Sequence, residues 1–149
     1  MGSLWHTSKM PKLSFQVHGV LETCINVSDM ERARTFYQSL FGFDIMRSDE
    51  RFCAFRVGHD VLLLFMQGGS KEPVQLEGGV IPPHETVGAG HFAFSISPDS
   101  LDEWRTLLTG RGVAIESEVR WERGGVSLYF RDPDNNLLEL GTPGIWPNY

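Results

Sequence analysis

Cysteine is scarce in this chain. Two residues, Cys24 and Cys53, are too few for a disulfide framework, so both are expected as reduced thiols. No apolar run approaches the roughly 20 residues that a membrane span needs. The first residues, Met1 to Gln16, lack a long apolar h-region, which argues against a secretory leader and for a cytoplasmic protein. Excess positive charge is missing as well: 13 basic against 19 acidic residues leave a net charge of −6. A nucleic-acid surface, which needs a basic patch, is therefore not expected, and the charge mainly aids solubility. What remains is ordinary globular material, 149 residues with 41% hydrophobic side chains. A chain of this length can bury roughly 70% of its unfolded surface, enough for one core.

Along the chain, periodicity switches in a definite order. Val20–Val27 is β-branched and apolar and reads as a strand. Ser28-Asp-Met-Glu31 fits a capping box, with Met30, Ala33, Phe36 or Tyr37 and Leu40 at helical spacing and Gly42 as the stop. Three strands are expected next, at Phe43–Arg47, Phe52–Val57 and Val61–Met66. Residues 67–89 are Gly- and Pro-rich without either periodicity, a length that usually marks a lid or a crossover.

The order then repeats. His91–Ile96 reads as a strand, and Ser97 with Pro98 as a helix start. Leu101, Trp104 and Leu108 mark the buried face of that helix, and Gly110 and Gly112 close it. Strands follow at Val113–Val119, Val126–Phe130 and Leu137–Leu140. The expected fold is α+β: two βαβββ modules forming an open, cup-like mixed β-sheet within one structural domain. The segments are an N-terminal lead-in (1–16), a first module (17–66), a linker (67–89), a second module (90–143) and a C-terminal tail (144–149). The module ends align without a gap from Phe55-Arg56 over Phe130-Arg131 to Leu64 over Glu139. On that alignment Glu139 replaces a leucine.

Three stretches carry a resemblance: Val27-Ser-Asp-Met-Glu-Arg-Ala33 with Phe36-Tyr37 and Leu40-Phe-Gly42; Gly90-His91-Phe-Ala-Phe94; and Phe130-Arg-Asp-Pro-Asp134 leading to Leu138-Glu139-Leu140. With them in this order the chain resembles the vicinal oxygen chelate superfamily, which contains glyoxalase I, extradiol dioxygenases, fosfomycin-modifying enzymes and bleomycin-binding proteins. The resemblance implies one divalent metal ion (Mn, Fe, Ni, Mg or Zn) and places its ligands on Glu22, His91 and Glu139. Most relatives carry His or Gln where Glu22 stands. The further carboxylate of glyoxalase I falls on Leu63 or Leu64, which puts methylglyoxal isomerase activity in doubt. A homodimer is implied too, because such modules often complete their cups across an interface.

The residues support such a site on their own terms. Glu139 and Glu22 stand in apolar strands, where an unpaired carboxylate is costly. His91 opens a strand, a place where a core histidine is the ordinary outcome. Two carboxylates and an imidazole nearly neutralise a divalent ion and leave open positions for a small substrate with adjacent oxygens. Glu139 or Glu22 could also serve as general base. Lesser candidates for substrate contact are His84 on the linker, Cys24 on the face of Glu22, and Trp121, Tyr129 and Arg131 beside the second-module strands; His18 and Arg120 are weaker still. The expected function is a metal-dependent, glyoxalase-like lyase, isomerase or transferase. The alternatives are an Fe(II) extradiol dioxygenase and a metal-free, bleomycin-type drug-binding protein.

Overall fold

A computed structural model describes residues 20–77, 79–146 and 149. The lead-in 1–16, the start of the first module and His18 lie outside the described residues. The elements run β1 (Glu22–Val27), α1 (Met30–Phe41), β2 (Asp44–Ser48), β3 (Phe52–Val57), β4 (Asp60–Met66), β5 (Val74–Leu76), β6 (Gly79–Ile81), β7 (His91–Ser95), α2 (Leu101–Gly110), β8 (Ser117–Arg120), β9 (Val126–Arg131) and β10 (Leu137–Gly141). The fold is α+β, and the repeat is plain in its sheets. One has the order β1-β4-β3-β2 and the other β7-β10-β9-β8; a separate two-stranded piece joins β5 to β6. In each large sheet the first strand of the module runs parallel to the last, and the remaining pairs are antiparallel. Among the described residues no helix is long and apolar enough to cross a membrane.

Helix α1 forms because Met30, Ala33, Tyr37 and Leu40 bring one apolar stripe to the core, all buried. Its cap is Asp29, whose carboxylate accepts the Arg32 N–H at 2.9 Å, and not the expected Ser28. Ser28 is drawn elsewhere: its N–H donates to Asp134 Oδ1 at 2.8 Å, and its hydroxyl bonds the same oxygen. Gly42 closes the helix in the left-handed region (φ 67°). Ser97 and Pro98 open a 3-10 turn (Pro98–Ser100), and α2 starts only afterwards. The strand expected from Val113 begins at Ser117, because Val113 and Ile115 are used to pack on the core beyond the helix stop. The linker is not structureless: it holds the β5–β6 hairpin.

Both modules feed one core. Phe41 at the end of α1 lies 4.9 Å from Phe94, 5.8 Å from Trp104 and 6.3 Å from Phe130, ring centre to ring centre. A buried polar knot also ties the halves. The Asp132 carboxylate accepts four hydrogen bonds: the N–H groups of Asp134 and Asn136, the Asn136 amide and, at 2.8 Å, the Tyr37 hydroxyl. Four donors offset the desolvation of a carboxylate that is only 5% exposed. Asp132-Pro-Asp-Asn is thus turn chemistry in the service of the module interface.

The strand ladders correct the gapless repeat. Between the matching pairs Arg56–Val61 and Arg131–Leu137 the second module has one more residue, in the Asp132–Asn136 loop. Glu139 sits opposite Tyr129 and Ala93; in the first module the residue opposite Ala54 and Cys24 is Leu63. The counterpart of Glu139 is therefore Leu63, not Leu64. A slip of one residue changes the face: Leu64 is fully buried in the core, whereas Leu63 lines a cavity.

Candidate metal and substrate site

Two cavities open on the sheet faces away from the core, one per module. The second-module cavity, about 380 Å³, is lined by His91, Tyr129, Glu139 and Trp121, with Trp146 and Tyr149 from the tail. His91 enters as the first residue of β7, and Glu139 as the central residue of β10, beside it. His91 Nδ1 stands 2.9 Å from the Leu137 carbonyl. A carbonyl only accepts, so Nδ1 carries a proton and Nε2 is the ring nitrogen turned to the cavity. That atom faces Glu139 Oε2 at 3.4 Å. Two arrangements satisfy that pair: an Nε2–H donating to the carboxylate, or a bare Nε2 sharing a metal ion with it. The carboxylate side chain is 9% exposed and the imidazole 48%, so one donor is rigidly set and the other lies at the mouth. The geometry fits a metal ion that takes two donors from this face and others from outside it.

Glu139 Oε1 is occupied by the Ser127 hydroxyl, which also receives the Trp121 indole N–H at 2.8 Å. Burial pushes the Tyr129 hydroxyl up from the usual phenol range; a hydrogen bond with Ser127 works against this, and the charge of Glu139 and a hydrogen bond to its carboxylate add to it. Tyr129 therefore faces the cavity as a protonated donor.

The first-module cavity, about 450 Å³, contains Glu22 and His84 with Arg47, Arg51, Phe52 and Leu63 among its walls. The linker closes over it. His84 N–H donates to the Ser70 carbonyl at 2.9 Å, and the ring meets Phe65 edge-on at 4.7 Å. No group of three His, Cys, Asp or Glu side chains that could hold a metal occurs within one chain among the described residues.

The candidates thus fall into three sets. His91, Glu139, Tyr129 and Trp121 come together; Glu22 and His84 share the other cavity; Cys24 and Arg131 line neither. Cys24 is exposed on the face of Glu22. Arg131 ends β9, pairing with Glu116 at 3.1 Å and clamping the Asn135 carbonyl at 3.1 Å. Arg120 pairs with Glu118 at 2.9 Å. Sequence reasoning missed Ser127, although it alternates onto the face of Tyr129. It also missed Trp146 and Tyr149, which no periodicity marks. Their segment is seated by a close approach of Gly144 to Gly125, where a Cβ on either would meet backbone at 2.6–2.7 Å.

Repeated modules, each with a parallel outer pair, and a histidine and a glutamate on adjacent strands define a glyoxalase-type fold. The chain belongs to the Glyoxalase/Bleomycin resistance protein/Dioxygenase superfamily, whose family model matches residues 19–140. It is similar to the metallothiol transferase FosB of Shouchella clausii, 32% identical over 128 residues, covering 85% of this chain and 81% of the relative. Among solved structures it resembles the lactoylglutathione lyase of Agrobacterium tumefaciens, with a TM-score of 0.80 and 31% identity, covering 88% of this chain and 98% of the other. A fosfomycin resistance protein, FosX, of Listeria monocytogenes shares the fold at TM-score 0.64 and 21% identity, covering 87% and 97%.

Proposed function

We propose that this protein is a divalent-metal-dependent transferase acting on a small substrate with adjacent oxygens, its ion held by His91 and Glu139 of one copy and Glu22 of a second copy. One observation carries the reading: His91 Nε2 and Glu139 Oε2 point at each other across 3.4 Å, with Nδ1 tied to a carbonyl so that Nε2 is left to bind. A second copy is invoked because Glu22 lies in the other cavity of its own chain. Joining the two kinds of cavity across a two-fold axis makes two equivalent sites, each with two carboxylates and one imidazole.

Transfer is favoured over isomerisation. The slot of Glu139 in the first module holds Leu63, which supplies no further carboxylate, and the curated relatives that the chain matches include metallothiol transferases. When bound, the metal supplies a Lewis acid to substrate oxygens, and oxygen-rich ligation suits Mn, Fe, Ni or Mg, with Zn also accommodated. Tyr129 donates its hydroxyl hydrogen to a substrate oxygen, while Trp121, Trp146 and Tyr149 wall the cavity from water.

That aromatic wall also favours a second reading, a metal-free pocket for a flat apolar ligand of the bleomycin-binding kind. Metal content separates the two. Elemental analysis of purified full-length protein is expected to find near-stoichiometric divalent metal in the wild type and its loss in His91→Ala and Glu139→Ala. Negligible metal in all three would overturn the metal reading and favour the aromatic pocket instead.

A further inference from the structure

We propose that Trp121 and Ser127 are positioning residues that fix Glu139 as a one-oxygen metal donor. The inference rests on the metal site proposed above and concerns how this chain prepares it. An indole N–H can only donate. At 2.8 Å it therefore makes the Ser127 oxygen an acceptor, and of the two neighbours left, Tyr129 and Glu139, the carboxylate is the stronger acceptor and takes the single Ser127 proton at Oε1. With Oε1 taken by Ser127, Oε2 is the oxygen that faces His91 Nε2. The relay removes a choice: without it the carboxylate could rotate or offer both oxygens.

Its parts are held in place. Ser127 is fully buried, and its rotation is confined by the Trp121 and Glu139 contacts. Trp121 begins a tight turn, its N–H donating to the Gly125 carbonyl at 2.8 Å and its carbonyl accepting the Gly124 N–H at 2.9 Å. Gly125 is in turn locked against Gly144 by the close backbone approach of the tail. The first module has no counterpart. The residue pairing with the strand beside Leu63, in the slot of Ser127, is Phe52, which carries no hydroxyl.

The test is Mn²⁺ titration of chelator-stripped full-length protein, with free Mn²⁺ read by electron paramagnetic resonance. Ser127→Ala is expected to weaken Mn²⁺ binding by roughly 10- to 100-fold, as loss of a partner to a ligating group does. Trp121→Phe keeps a ring and removes the donor, and is expected to weaken binding by a few-fold. Because Trp121 acts through Ser127, the double variant should bind no more weakly than Ser127→Ala alone. Metal-free thermal midpoints separate this from a general loss of structure, since the relay predicts that affinity falls in Trp121→Phe while its midpoint stays close to wild type. Wild-type affinity in both single variants, or a double variant weaker by the product of the two effects, overturns the relay. Should Ser127→Ala fail to fold, Trp121→Phe decides alone: weaker Mn²⁺ binding supports the relay, and unchanged binding overturns it. A wild-type protein that binds no Mn²⁺ removes the metal site itself, and the relay with it.

Discussion

The two modules share a backbone plan, and their two faces have diverged very differently. On the core side the same residues recur: Leu62 and Leu64 match Leu138 and Leu140, and Phe55 matches Phe130. On the cavity side the matching slots read Glu22 and His91, Leu63 and Glu139, Ala54 and Tyr129, Phe52 and Ser127, Phe65 and Gly141. Packing explains the first set, since both inner faces must fill one core at high density. The second set is free of that demand and differs in charge, size and hydrogen bonding. On its strands the first module sets Glu22 beside apolar residues, with charged residues of both signs at the rim; the second carries an imidazole, a carboxylate and its hydroxyl partner. Among the described residues, neither face alone makes a three-ligand site within a chain. The lesson is that the repeat sets the frame while the differences between its halves hold the chemistry.

This comparison can be broken most severely at neighbouring leucines. Leu64→Ala is expected to cost about 3 kcal/mol, because a fully buried leucine leaves a cavity in the shared core. Leu63→Ala, on the cavity wall and 9% exposed, is expected to cost about 2 kcal/mol, because the space it leaves opens into the cavity instead of being sealed in the core. Urea unfolding of both variants checks the register, and equal losses would undo the assignment of faces.

The tie between the modules gives the next effect. Burial, then the charge and hydrogen bond of Asp132, push the Tyr37 hydroxyl far above its ordinary value of 10.0. A raised folded-state value means stability that is fully present below pH about 10 and is lost as pH climbs above it, where only the unfolded chain's tyrosine ionises. Tyr37→Phe should lower stability at pH 7 by about 1 kcal/mol and flatten the decline above pH about 10. Denaturant midpoints measured from pH 8 to 11 would show both changes.

Smallest in energy is the contrast of the two thiols. Cys53 shares the core side with Leu128, and burial pushes its thiol up; Cys24 is exposed on the cavity side. Alkylation at neutral pH followed by mass spectrometry is expected to label Cys24 readily and Cys53 only after unfolding. Comparable rates in the native protein would contradict the placement of β1 or β3.

Much of this frame was legible in the sequence. The switch from period 2 to period 3.6 and back, twice, located the strands and helices, and the apolar stripe of α1 named its buried residues. Boundaries failed where tertiary demands intervened. Ser28 left the cap to Asp29 because Asp134 of the other module competes for it. The extra residue of the Asp132–Asn136 loop was invisible because Phe-Arg and Leu-Leu recur on either side of it. The β5–β6 hairpin was hidden by glycines and prolines around strands of three residues each. In the site, His91 and Glu139 were readable as polar residues in apolar strands. Trp146 and Tyr149 were not, since a glycine-to-glycine approach carries no periodic signal. The separation of Glu22 from the other two candidates could not be read at all, because it depends on which way each module faces.

That separation leads to the decisive measurement, metal binding by mixed variants. Glu22→Ala and His91→Ala, each loaded separately, should both lose tight Mn²⁺ binding. After unfolding and refolding together in equal amounts, half of the dimers pair one chain of each kind, and each such dimer contains one complete site. About a quarter of wild-type tight binding should therefore return. No recovery in the refolded mixture, with wild-type protein refolding fully under the same conditions, would contradict a metal ion shared between two copies.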